Sequence, residues 1–173
     1  MRDAFLPGLP AERILAVYGD APGKEIASGK FFNPESSAFL VASSFGFFLE
    51  RPGAIPRLPG CEDCGAAEKL ALEAELRFPW SGGRHPCLDA VIDTSAALIG
   101  IESKRYEPFR AKAPAALSEA YWRPVWGEAM AGFQRVRDGL SDGTLAFRHL
   151  DAAQLIKHAL GLRSAVHRDD HRT

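Results

Sequence analysis

Cys87-Leu88-Asp89-Ala90-Val91-Ile92-Asp93-Thr94-Ser95-Ala96-Ala97-Leu98-Ile99-Gly100-Ile101-Glu102-Ser103-Lys104 carries the clearest structural pattern in the chain. Two short apolar or β-branched runs, 87–92 and 97–104, flank Asp93-Thr94-Ser95-Ala96, and that pattern predicts a β-hairpin. Residues two apart on a strand share a face. Cys87, Asp89 and Val91 therefore fall on one side of the first strand, and Gly100, Glu102 and Lys104 on one side of the second. Hairpin pairing then brings Asp89 near Glu102. Charged residues at the end of strands otherwise fit for a core are unusual for a simple wet face.

The chemistry follows from the residue types. Two hard carboxylate ligands converging on one point suit Mg²⁺ or Mn²⁺, with phosphate and water completing the shell. A lysine beside them stabilises charge on phosphate oxygens or orients a water. Taken alone, a Glu-x-Lys step on a strand is more often a pair of solvated neighbours.

Working outward, residues 69–78 alternate: Leu70, Leu72, Ala74, Leu76 and Phe78 against Ala71, Glu73, Glu75 and Arg77. Period 2 predicts a half-buried strand, although Ala, Leu and Glu favour helices. Upstream, Asn33-Pro34 reads as an N-cap with Pro at the first helical position, opening a helix over 35–50 too apolar for a wet face. A two-turn helix is predicted over 10–17 within an irregular segment 1–32. Residues 51–65 form a Pro- and Gly-rich loop. Downstream, helical pieces are predicted near 114–121 and 124–140, and a short strand at 144–147. A capping-box start at Asp151 and Gln154 opens a helix that Gly161 stops, and a frayed tail follows from 164. Trp122 and Trp126, four apart, are expected on one helix side. The sum is a single α/β domain over 1–173, with a small mixed β-sheet, a hairpin carrying the site and flanking helices.

At His85-Pro86-Cys87-Leu88-Asp89-Ala90-Val91-Ile92 and Ile99-Gly100-Ile101-Glu102-Ser103-Lys104-Arg105-Tyr106-Glu107-Pro108 the chain resembles the PD-(D/E)XK nucleases, more narrowly a restriction-endonuclease-like group. Leu72-Glu73-Ala74-Glu75-Leu76 matches the place of that group's acidic strand, the helix beginning Ser36-Ser37 its early helix, and 121–126 an aromatic stretch that follows. The resemblance covers about 33–162, with the hairpin as its specific part. It implies a restriction-endonuclease-like core, Asp89 and Glu102 as metal ligands, Lys104 as catalytic lysine, Glu73 or Glu75 as auxiliary acid and Glu107 in a supporting role. It implies DNA as partner and is compatible with a homodimer. It also implies further strands after the helix of 154–160, which the sequence does not show.

Cys61-x-x-Cys64 with His85-x-Cys87 offers four soft ligands for a tetrahedral zinc, the lesser reading beside a small core cysteine and two loop thiols. That zinc belongs to an alternative function: a catalytically degenerate nuclease-fold module binding nucleic acid or protein. Arg105, Arg110, Lys112, Arg123, Arg135 and Arg137 give a modest basic bias after the motif, and Gln154 and Lys157 share a helix face. His149, His158, His167 and His171 form no metal spacing.

Composition bounds the rest. The chain has 173 residues, 46% hydrophobic and 25% charged, as an ordinary globular domain has. A formal net charge of -1 argues against binding nucleic acid by bulk charge alone. The odd count of 3 cysteines speaks against a disulfide framework. No membrane-spanning run and no signal-peptide pattern are read, so a cytoplasmic location is the expectation.

Overall fold

The computed structural model describes residues 4–111 and 116–169, with side chains to 167. Among the described residues there are four α-helices, a three-stranded sheet and several short 3-10 turns. The chain separates into two compact units. The first comprises the chain up to Glu75 together with Cys87–Arg105, and the second Leu76–Pro86 together with the chain from Tyr106 onward.

The first unit is built from α1 (Ala11–Asp20), α2 (Ser37–Phe45), β1 (Ala67–Glu75), β2 (Cys87–Thr94) and β3 (Leu98–Ile101). On α1, Ile14 and Tyr18 are four apart and fully buried, which sets the helix's inward face. The cap of α2 is Ser36, whose hydroxyl accepts from Phe39 N at 3.0 Å. Asn33, expected as the cap, instead accepts from Glu35 N at 2.9 Å and closes a turn over Pro34, so the helix begins later. It also ends earlier, at Phe45, passing into a 3-10 turn at Gly46–Phe48. A Cβ at Gly46 would stand 2.6 Å from Ile14 Cδ1 and 3.0 Å from Leu9 Cδ2, so a larger residue there would make those side-chain ends shift. Nor is α2 wholly dry: Leu40 and Ser44, one turn apart, are exposed.

The sheet order is β1-β2-β3, antiparallel at both pairings. The expected mixed sheet is thus an antiparallel one among the described residues, because the hairpin and the preceding strand connect as neighbours in sequence. β1 ends at Glu75 rather than 78. Leu70, Leu72, Ala90 and Ile92 turn one sheet face into the core with Val41, Ala42, Phe31 and Tyr18. The β2–β3 turn is held by Thr94, whose Oγ1 accepts from Ala96 N at 3.2 Å and Ala97 N at 2.9 Å.

The second unit holds α3 (Ala131–Asp142) and α4 (Ala152–Asp169) over a core of Phe78, Tyr121, Trp126, Met130, Ile156 and Leu160. The helix expected over 124–140 is present as α3 but starts later, at Ala131, after a 3-10 turn at Glu128–Met130, while the described part of the one expected over 114–121 holds only a 3-10 turn at Glu119–Trp122. Pro124 between them removes a backbone donor, which ends any helix there. Residues 112–115 lie outside the described residues. Trp126 is therefore buried and Trp122 exposed, and they share no helix side; both rings flank Arg137 at 5.3 Å.

The strand expected at 144–147 is absent. Gly143 adopts a left-handed φ of 79°, Leu145 N donates back to Gly139 O, and Asp142 accepts from Thr144, so this segment closes α3. Asp151 does cap α4, accepting from Gln154 N at 2.9 Å. Gly161 does not stop that helix, which continues to Asp169 across the expected tail. A Cβ at Gly161 would meet Pro86 Cγ at 2.8 Å and Leu76 Cβ at 3.0 Å, so this glycine serves close packing.

Candidate active site

The sheet register places the acids. β1 and β2 pair Leu72 with Ala90 and Ala74 with Leu88, so Glu73 stands opposite Asp89. β2 and β3 pair Ala90 with Ile101, and the next step of that register sets Asp89 opposite Glu102. Opposed residues in an antiparallel pair share a face. Glu73 and Asp89 thus face each other across β1 and β2, and Glu102, the residue directly after β3, extends this carboxylate row closely enough for its charge to act on Glu73.

β3 as a regular strand ends at Ile101, one residue short of the expected Glu-x-Lys. Asp89 meets the chain just beyond that end. Its Oδ2 accepts from Ser103 N at 2.5 Å, so a side chain takes over where the ladder stops and holds the 102–104 segment against β2. Lys104 Nζ bonds Glu102 Oε1, a pair at the surface whose carboxylate is the more covered partner.

Glu75, the other auxiliary candidate, pairs with Cys87 and is exposed. Glu73 is half-buried, and its carboxyl is pushed up to about 7. Burial is the largest cause and the Asp89 charge the next; a hydrogen bond from Cys87 opposes the shift, while Glu25 and Glu102 add to it. Glu73 also has a φ of 49°, the left-handed region, a strain of order 1–3 kcal/mol for a residue other than glycine.

Two neighbours were not found from sequence. Tyr18 is fully buried, donates to Ala38 O at 3.1 Å, and is raised above its ordinary range by burial, then by Glu73, Asp89, Cys87 and Glu25. A tyrosine four residues after Ile14 on an inward helix face was its available signal. Glu25 lies after α1, where nothing in the sequence ties it to the hairpin.

Cys87 Sγ donates to Glu73 Oε2 at 3.6 Å, and burial with the Glu73 charge pushes the thiol up to about 12. It is a protonated neighbour of the row at neutral pH. Of the remaining zinc candidates, Cys61 and Cys64 lie on the loop before β1, joined by a backbone bond of 3.2 Å, and His85 Nδ1 accepts from Phe78 N at 3.1 Å.

Among the described residues no group of three or more His, Cys, Asp and Glu side chains is drawn together to hold a metal ion. A magnesium site needs fewer protein donors, since one or two carboxylates with phosphate and water complete it. The carboxylate row fits such an ion. Its donors are hard oxygens, and Glu73, held up first by burial and next by the Asp89 charge, stands where a divalent cation would offset negative charge.

Arg137, counted among the basic residues after the motif, is not available to a ligand: it is buried, bonds Tyr121 O at 2.8 Å and pairs with Asp138. Lys112 lies outside the described residues, and no described helix is long and apolar enough to cross a membrane. Compared with protein-family models, curated proteins and solved structures, the chain matches none.

Proposed function

We propose that this chain is a metal-dependent phosphodiesterase that hydrolyses DNA, on a restriction-endonuclease-like core. The observation that supports it is the row Glu73–Asp89–Glu102 across the sheet, ending in Lys104 bonded to Glu102.

Asp89 and Glu102 would hold Mg²⁺ or Mn²⁺, which when bound lowers the pKa of a water and screens phosphate charge. Ser103 N–H fixes the orientation of Asp89 by donating to its Oδ2. Lys104 supplies a positive charge where negative charge develops on the phosphate oxygens. Glu73, poised near neutrality, is the auxiliary group of the pair left open by sequence: its carboxylate takes a proton from the attacking water at the pH where it is half ionised. The fold belongs with DNA as partner and with a cytoplasmic location in this reading.

Asp89→Ala and Glu102→Ala are expected to abolish magnesium-dependent cleavage of plasmid DNA while leaving the far-ultraviolet circular dichroism unchanged. Full activity retained in either folded variant would sink the assignment.

A further inference from the structure

The second unit carries a pocket of about 430 Å³, within the roughly 300–1,000 Å³ typical of small-ligand sites. It is unrelated to the carboxylate row, which belongs to the first unit. One wall is aromatic. Trp80 stacks on Phe78 with ring centroids 4.6 Å apart at 23°, and Tyr121 sets its edge against Trp80 at 5.6 Å. The rim is cationic: Arg84, Arg123 and Lys157 all line the pocket, and no acidic residue does. Arg123 lies over the Trp80 ring at 5.5 Å. Lys157 is half-buried on α4, and none of the three cations has an ion pair among the described residues. The floor loop, Ser81-Gly82-Gly83, has two glycines in succession at φ 82° and 80°, a backbone with no Cβ in the way of a close ligand.

Three cations around one cavity, none ion-paired among the described residues, favour a polyanionic group, and the half-buried lysine does so most strongly. A half-buried indole beside guanidinium groups favours a planar, π-bearing body. The charge balance agrees: the second unit has 12 Lys and Arg against 8 Asp and Glu, although the whole chain is at -1. We propose that the pocket lined by Trp80, Arg84, Arg123 and Lys157 binds a nucleoside phosphate, its phosphate on the three cations and its base against the aromatic wall. The unit bound is either a free nucleotide or one nucleotide of a single strand. The inference stands without the phosphodiesterase reading.

All three tryptophans belong to the second unit, so their fluorescence reports it. The test titrates the full chain in EDTA, where metal-dependent hydrolysis is blocked, with deoxyadenosine monophosphate, deoxyadenosine, inorganic phosphate and a five-nucleotide single strand. The monophosphate is expected to change the fluorescence saturably, with affinity falling as salt rises. Arg84→Gln, at an exposed position, and Lys157→Gln, which keeps most of the side chain's length, should each weaken it about tenfold, the effect of losing one charge-assisted contact. Deoxyadenosine should bind at least about tenfold more weakly. A single strand tighter than the monophosphate identifies a strand site, and equal affinity a free-nucleotide site; both support the proposal. No saturable binding by either phosphate-bearing ligand, affinity unchanged in both variants, or inorganic phosphate binding as tightly as the nucleotide would overturn it.

Discussion

Glu73 is where side-chain electrostatics and backbone strain meet. Its carboxyl lies near 7 in the folded protein against an ordinary value of 4.5, because burial and the Asp89 charge disfavour ionisation. A raised acid contributes stability that is fully present below 4.5 and is lost as pH rises through about 7. Metal-free protein should therefore lose thermal stability between those two values. Glu73→Gln should flatten that part of the profile and melt higher than the wild type at pH 8. Melting curves in EDTA at several pH values check this, and parallel profiles for the two proteins would contradict it. Magnesium should act in the opposite sense, raising the wild-type midpoint more at pH 8 than at pH 5. At this scale the sequence was informative about Asp89, Glu102 and Lys104, because strand parity and the Glu-x-Lys spacing are local. It left Glu73 and Glu75 open because both have the same parity on β1. Only the partner strand's register separates them, and register is not local.

Individual elements show the same division between local and distant causes. Asp151 was legible as a cap because capping is decided within four residues, and Asp151→Ala should cost about 1 kcal/mol. Gly161 was misread as a helix stop because its role is set by Pro86 and Leu76, 75 and 85 positions away in sequence. Gly161→Ala should therefore destabilise by about 1–3 kcal/mol through overpacking, despite alanine's better helix propensity. Urea unfolding followed by tryptophan fluorescence checks both, since that signal comes from the second unit alone. A Gly161→Ala midpoint at or above the wild type would show that the packing at α4 yields. The short strand expected at 144–147 failed for a related reason. Its residues alternate well enough for a strand, but Gly143 and Asp142 commit the segment to closing α3.

Across the whole molecule, the near-neutral charge conceals a division. The first unit carries 9 Lys and Arg against 14 Asp and Glu, and the second 12 against 8. The boundary is discontinuous, with Leu76–Pro86 assigned to the second unit, so no window along the chain displays the split. The hairpin and its acids were readable from residues 87–104, whereas the charge division needed the tertiary contacts. Cleavage of plasmid and oligonucleotide DNA by the wild type and Lys104→Ala, in Mg²⁺, Mn²⁺ or EDTA, tests the central claim most directly. The account predicts cleavage by the wild type with either metal, none in EDTA, and a loss of about a hundredfold or more in the variant. No cleavage by folded wild type under any metal, or equal cleavage by both proteins, would contradict it.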